Sequence, residues 1–165
     1  MRSDVSAIEG EAFVIESNSP RETKLWGRRL ASILNGGELI ALSGDLGVGK
    51  TCFIKGLARG LNLPEEQILS PTFTMIQEHQ GRLPLYHIDL YRLDTAELDD
   101  LGLREYLFSE AVAAVEWFER LREAEQMTRL AVKISYSSAN TRRIELFAVG
   151  DRYVELILRL RSRFC

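Results

Sequence analysis

The sequence predicts an α/β fold in which helices flank a mixed parallel and antiparallel sheet, and two observations predict it. Residues 39–42 and 111–115 are continuous apolar runs, which are typical of buried strands. Four further segments are rich in strand-forming side chains and pair through short turns: 72–79 with 83–90, and 129–136 with 142–149. The chain is therefore expected to extend an α/β core with antiparallel hairpins.

Helix caps and chain breaks predict the remaining elements. Ser19 followed by Pro20 is typical of a helix start, and this helix is expected to end near Leu34, before two glycines. Amphipathic spacing and local start signals predict three more helices: one that begins near Gly49, one over residues 95–107 and one over residues 153–163. Residues 12–17 have the composition of a further strand.

Composition and charge limit the classes of function. With 165 residues, 45% hydrophobic and 27% charged, the chain is long enough for one soluble domain, and we assign residues 1–165 to it. The net charge of −3 argues against a surface that binds nucleic acid by bulk phosphate attraction. No apolar run approaches the roughly 18 residues of a membrane span. We expect a cytoplasmic protein that binds no membrane, with Cys52 and Cys165 as free thiols.

Residues 44–51 read Gly-Asp-Leu-Gly-Val-Gly-Lys-Thr and match the phosphate-binding loop pattern G-x-x-x-x-G-K-T, between a predicted strand and a predicted helix. Gly47 and Gly49 let backbone N–H groups turn toward phosphates, and the helix N-terminus adds partial positive charge. Lys50 is expected to reach the β and γ phosphates, while the Thr51 hydroxyl takes a Mg²⁺ position. The sequence therefore predicts a protein that binds a nucleoside triphosphate.

A phosphate loop of this kind needs a carboxylate from a neighbouring strand at the metal. Glu116 directly follows the second apolar run, and open α/β sheets bind ligands at the carboxyl ends of strands. Its alternative is a solvated acid at a strand terminus. Asp89 is the rival candidate, and its alternative is a sheet residue paired with Arg92. We expect Asp89 to share a strand face only approximately with His87 and hardly at all with Tyr91.

Residues 99–102 match the D-x-x-G pattern of GTPase switch regions, but no apolar strand precedes them. We interpret them as an interruption of the helix predicted over residues 95–107. The chain also lacks N-K-x-D, the guanine-selecting element of GTPases, so adenine is the favoured base.

Together these motifs resemble the TsaE family, the small P-loop ATPases of bacterial tRNA threonylcarbamoyladenosine formation, also called the YjeE/YdiB family. The matching segments, in order, are GDLGVGKT at 44–51, SPTF at 70–73, YHIDLYRL at 86–93 and VEW at 115–117. Val48 and Cys52 depart from the family's loop, and residues 127–165 carry no signature of the family. The resemblance implies a P-loop NTPase-like fold of three layers.

The resemblance implies roles at the matched positions. Thr51 and Glu116 would ligate Mg²⁺, with Asp89 near the metal or the attacking water. Lys50 would stabilise the γ-phosphate, so Lys50, Glu116 and Asp89 form the implied catalytic set. The residues implied to contact the nucleotide are Thr23, Asp45, Leu46, Gly47, Val48, Gly49, Lys50, Thr51, Cys52 and Trp117.

Three of the implied roles concern residues outside the loop and the two acids. Thr72 would sense the γ-phosphate, and its alternative is a β-branched residue that starts a strand. Trp117 would pack near the nucleotide, and its alternative is a half-buried core residue. Thr23 lies in a segment that resembles the family's N-terminal helix near the adenine.

By the same resemblance, the chain would bind ATP and Mg²⁺ and hydrolyse ATP slowly, with TsaB and TsaD as partners. The complex would modify adenosine 37 of ANN-decoding tRNAs, so the chain would meet tRNA only indirectly. Two alternatives stay open. A small-molecule kinase would use the same loop and acid, with Arg59, Arg92 and Arg104 available to clamp a phosphate. A nucleotide-gated binding module would change state with the γ-phosphate and show no meaningful turnover.

Overall fold

The computed structural model describes residues 12–70, 75–97 and 99–165. The strands in these ranges are β1 (Phe13–Ser17), β2 (Leu39–Ser43), β3 (Ile76–Gln80), β4 (Pro84–Asp89), β5 (Val112–Glu116), β6 (Arg129–Tyr136) and β7 (Arg142–Val149). The α-helices are α1 (Pro20–Ala31), α2 (Lys50–Gly60), α3 (Leu103–Leu107) and α4 (Asp151–Phe164). No helix in the described part of the chain is both long and apolar enough to cross a membrane.

The seven strands form one sheet in the order β1-β7-β6-β2-β5-β4-β3. The four central strands β6, β2, β5 and β4 are parallel, while β3, β7 and β1 pair antiparallel at the two edges. In this register Glu116 is the Cα partner of Leu42 on one side and of Asp89 on the other. The carboxyl ends of three neighbouring strands therefore meet at one edge of the sheet, and the prediction of a mixed α/β sheet is confirmed.

Apolar side chains on the two faces of the sheet form two buried clusters. Ile40 and Leu42 of β2 belong to the cluster under α1, α2 and α4, which also contains Phe53 and Leu57 of α2. Leu39 lies in the opposite cluster, which α3 and short turns cover. Since successive side chains of a strand point to opposite faces, one continuous apolar run supplies both layers.

Helices α1 and α2 approach closely because glycines replace larger residues at their contact. A Cβ atom added at Gly56 would lie 2.1 Å from the backbone oxygen of Lys24, and one added at Gly27 would lie 2.3 Å from the backbone oxygen of Phe53. The two backbones thus pack directly on each other. Since α2 begins at Lys50, this contact also sets the position of the loop that precedes it.

The prediction of a helix over residues 95–107 is wrong. Ala96 instead bridges Leu121 in parallel, a 3-10 turn spans Asp100–Gly102, and the α-helical part is confined to α3. Leu101 and Gly102 have left-handed backbone torsions, φ 55° and 68°, which no α-helix can contain. The D-x-x-G segment is therefore a turn that precedes α3 and does not interrupt a helix.

Two element boundaries also differ from the predictions. Helix α1 ends at Ala31, three residues before the predicted end, and the backbone N–H of Ser32 caps it by donating to Arg28 O. The hairpin strand predicted to begin at residue 72 begins at Ile76, directly after Met75, whose φ of 62° is not that of a strand. Residues 71–74 lie outside the described ranges. The other predicted strands and helices are confirmed within a few residues of their expected ends.

Candidate functional site

The glycine-rich loop connects the end of β2 to the start of α2. Gly44, Gly47 and Gly49 have φ of 141°, 77° and 124°, in the region that side chains with a Cβ rarely adopt. A Cβ at Gly44 would also lie 2.3 Å from Ile134 O, so the loop packs against β6, whereas Gly47 and Gly49 have open space beside them. Backbone conformation explains the glycines at 47 and 49, and close packing adds a second reason at 44.

The Lys50 ammonium lies inside the loop. Its Nζ donates to Gly44 O at 2.6 Å and to Asp45 O at 2.9 Å, and it lies 4.5 Å from the centre of the Trp117 ring. Burial lowers the pKa of Lys50, and the nearby Glu116 carboxylate acts in the opposite direction without cancelling the effect. The carbonyls and the ring thus hold a partly desolvated cation where a phosphate chain would need one.

Glu116 accepts hydrogen bonds from two other elements. Thr51 Oγ1 donates to Glu116 Oε1 at 2.6 Å, and His87 Nε2 lies 3.2 Å from the same oxygen. Burial by itself would raise the pKa of the Glu116 carboxyl, but the hydrogen bonds from His87 and Thr51 and the charge of Lys50 outweigh it and lower the pKa below its usual value. Glu116 is therefore an ionised, oriented carboxylate at neutral pH. Its alternative as a solvated terminal acid does not fit, because only 4% of the residue is exposed.

Asp89 ends β4 directly beside Glu116 in the sheet register. Its Oδ1 accepts a hydrogen bond from the backbone N–H of Tyr91 at 2.9 Å, and the residue is buried. The expectation that Asp89 shares a face only loosely with its neighbours is wrong. Strand alternation brings Asp89 to the face from which His87 reaches Glu116, and Tyr91 lines the same cavity as Asp89.

A cavity of about 540 Å³ opens at this edge of the sheet. It is lined by Leu46, Gly47, Gly49, Lys50, Thr51, Cys52, Ser70, Asp89, Tyr91, Glu116 and Trp117. Trp117 has left-handed torsions, φ 59° and ψ 39°, and its ring packs at 5.1 Å from that of Tyr91. A bulky residue with positive φ is uncommon, and here it turns the chain sharply after Glu116.

A second cavity of about 590 Å³ lies on the other side of the loop. It is lined by Asn18, Ser19, Pro20, Thr23, Gly47, Val48, Gly49, Cys52, Ala139, Asn140 and Arg142. The Thr23 hydroxyl is 2.8 Å from that of Ser17, and Arg142 Nε donates to Val48 O at 2.9 Å. The turn between β6 and β7 thus meets the loop and the start of α1, a contact that the sequence reading did not anticipate.

The predicted site residues therefore converge around the loop, with Asp45 contributing its carbonyl to Lys50. Thr72 lies outside the described residues. His87 is the buried residue whose contact with Glu116 the sequence reading missed. The signal was present, since His87 stands two positions before Asp89 in a strand and both side chains then point the same way.

A Gly-rich loop between a parallel strand and a helix, with a Lys-Thr pair at the helix start and an acid on the adjacent strand, defines the class of P-loop NTPase-like proteins. The crystal structure of Bacillus subtilis YdiB matches with a TM-score of 0.76 and 36% identity, covering 92% of this chain and 95% of that one. The model of the family described as "Threonylcarbamoyl adenosine biosynthesis protein TsaE" matches residues 17–144. The chain belongs to the TsaE family.

Relatives from distant bacteria agree with that assignment. The protein from Bacillus subtilis is 43% identical over 136 residues, which cover 82% of this chain and 85% of the relative. The one from Treponema pallidum is 43% identical over 120 residues, or 72% and 87% of the two chains. The one from Synechocystis is 49% identical over 116 residues, or 67% and 71%. Each of the three is named tRNA threonylcarbamoyladenosine biosynthesis protein TsaE.

Proposed function

We propose that this chain is the Mg²⁺-dependent subunit that binds and slowly hydrolyses ATP in tRNA threonylcarbamoyladenosine biosynthesis. The observation that carries the proposal is the contact between Thr51 Oγ1 and Glu116 Oε1 at the mouth of the glycine loop. It joins the two groups that a P-loop enzyme uses at its metal, and Lys50 and Asp89 line the same cavity.

The donor set suits Mg²⁺. Magnesium binds through hydroxyl and carboxylate oxygens, keeps several waters and shares phosphate oxygens, so it needs few protein ligands. Thr51, Glu116 and Asp89 would hold it, and all three residues line one cavity. Among the described residues no group of three or more His, Cys, Asp and Glu could form a metal cage. That pattern favours a metal held jointly with a nucleotide. When bound, Mg²⁺ would neutralise charge on the β and γ phosphates.

The residues of the chain would divide the remaining work. Loop N–H groups and the α2 N-terminus would bind the phosphates, and Lys50 would exchange its two carbonyl acceptors for phosphate oxygens. Glu116 is ionised and buried, so it can orient a water molecule by accepting a hydrogen bond from it. Asp89 would orient the same water. The cavity that contains Thr23 and Cys52 would receive the adenosine.

We propose TsaB and TsaD as the partners, with tRNA reached through their complex and adenosine 37 of ANN-decoding tRNAs as the modified base. ATP hydrolysis would reset the complex and would not supply the carbamoylation chemistry. The names of the relatives support the pathway, and the motifs shared with the family support the partners. The kinase alternative is weakened because Arg59, Arg92 and Arg104 are not among the described residues that line the loop cavity.

Steady-state ATP hydrolysis, measured alone and with TsaB and TsaD, tests the proposal. Lys50→Ala should abolish turnover, whereas Glu116→Ala should lower turnover by about 10²–10⁴-fold and weaken nucleotide binding far less. Lys55→Ala and Glu110→Ala are matched controls that remove the same charges outside the cavity, and they should leave turnover unchanged. Undiminished hydrolysis in both site variants would refute the mechanism. Phosphate transfer to an acceptor in a metabolite screen would favour a kinase.

A further inference from the structure

We infer that His87 is a positioning residue that orients the Glu116 carboxylate for the metal and the attacking water. This inference rests on the proposed function, because it assigns His87 a role in the same site. His87 lies in the segment at 86–93 that matches the family, but the sequence motifs assign no role to its side chain.

The geometry around His87 is specific. The residue lies inside β4, is 0% exposed, and its Nε2 is 3.2 Å from Glu116 Oε1. An ionised carboxylate can only accept hydrogen bonds, so Nε2 must carry the proton that lies between them. The other ring nitrogen, Nδ1, is buried without a hydrogen-bond partner among the described residues. The contact with Glu116 is therefore the polar contact that orients this ring.

A purely packing role explains this residue poorly. Leu85, two positions earlier in β4, fills the same face of the sheet as an ordinary core residue. Burying an imidazole in an apolar sheet has a free-energy cost unless its polar atoms are paired, and one of them here is not. An aliphatic side chain at position 87 would avoid that cost. What it could not supply is the hydrogen bond to Glu116.

His87 also differs from the other donor to the same oxygen. Thr51 donates to Glu116 Oε1 but is itself a proposed magnesium ligand, so its hydroxyl has two tasks. His87 is fixed within a central strand, and in the described part of the chain its side-chain hydrogen bond goes to the carboxylate of Glu116. It therefore keeps Oε1 in place while Thr51 engages the metal. Groups that hold metal-binding carboxylates in this way typically contribute 10–100-fold to metal affinity or activity.

The test compares His87→Gln with His87→Met. The two side chains have similar length and volume, but only glutamine offers an N–H donor at a position close to that of Nε2. Two quantities are measured: the Mg²⁺ concentration that gives half-maximal ATP turnover, and the ratio of labelled-ADP affinities with and without Mg²⁺. For the Met variant we expect the half-maximal Mg²⁺ concentration to rise by about 10–100-fold and the ratio of ADP affinities to fall toward one. In the Gln variant both quantities should return most of the way to their wild-type values. ADP affinity without Mg²⁺ should stay near the wild-type value in both variants.

Three results would overturn the inference: an unchanged Mg²⁺ dependence in the Met variant, equal impairment of Gln and Met, or loss of ADP binding without Mg²⁺. If the Met variant does not fold, His87→Asn takes its place, because its shorter amide stays polar but does not reach Glu116. The ADP measurement also separates this inference from the proposed function. Absence of ATP turnover in the wild-type protein would refute the ATPase, while the Mg²⁺-linked affinity ratio would still report on His87.

Discussion

Replacing Gly56 by alanine is expected to destabilise the protein, although alanine is the better helix former. Gly56 lies inside α2, where it faces the backbone of α1. A Cβ at this position would lie 2.1 Å from the oxygen, 2.8 Å from the carbonyl carbon and 2.9 Å from the Cα of Lys24. These atoms belong to a helix backbone, so no rotamer change can relieve the clash.

The magnitude follows from two opposing effects. Non-bonded heavy atoms are most favourable at about 3.5–4.0 Å, so the 2.1 Å approach of this Cβ to Lys24 O would have to lengthen by about 1.4 Å or more. Overpacking of this kind costs up to about 3 kcal/mol, while the helix propensity of alanine returns about 1 kcal/mol. The free energy of unfolding should therefore fall by about 2 kcal/mol. For a domain of this size that lowers Tm by roughly 4–8 °C.

Urea unfolding followed by circular dichroism measures the change. Lys55 is the matched site, since it is the preceding, half-exposed residue of the same helix. The variant with alanine at position 55 should have a free energy of unfolding about 1 kcal/mol higher than the variant with glycine there. Replacing glycine by alanine should therefore stabilise the protein at position 55 and destabilise it at position 56. If Gly56→Ala stabilises the protein as much as the change at position 55, the backbone contact between α1 and α2 does not have the described geometry.

Two further predictions concern one buried and one partly buried titratable group. Tyr153→Phe should cost about 1–3 kcal/mol, because the buried Leu39 N–H donates to the Tyr153 hydroxyl oxygen at 2.9 Å and would lose its partner. Burial raises the pKa of Tyr153, so as the pH rises the unfolded chain loses this proton before the folded protein does, and stability falls above about pH 10. Urea titrations contradict this if the free energy of unfolding of the Phe variant falls above pH 10 as steeply as that of the wild type. Burial also raises the pKa of the Cys52 thiol, so iodoacetamide should modify Cys52 more slowly than the exposed Cys165 at neutral pH. Mass spectrometry measures the two rates. Because Cys52 lines the cavity proposed for adenosine, bound ADP should slow its modification further. Equal rates at the two cysteines would count against the described burial.

Local patterns in the sequence were sufficient for most elements. The central strands β2 and β5 are continuous apolar runs, and the loop between β2 and α2 is determined by glycines that adopt positive φ. These features depend on neighbouring residues alone, so sequence reasoning identified them together with Lys50, Thr51 and Glu116. Helix α3 was overpredicted because the side chains before it are compatible with a helix, while Ala96 bridges the distant Leu121 and Leu101 and Gly102 adopt left-handed torsions.

The sequence by itself determined the class of fold, the phosphate loop and the two candidate acids, because each of these follows from side-chain type and spacing along a few consecutive residues. Only the tertiary structure decided how they meet. The order of strands places β4 next to β5, which brings Asp89 beside Glu116 and lets His87 reach the same carboxylate. Strand order and register depend on hydrogen bonds between segments far apart in the chain, and no local pattern encodes which strands become neighbours.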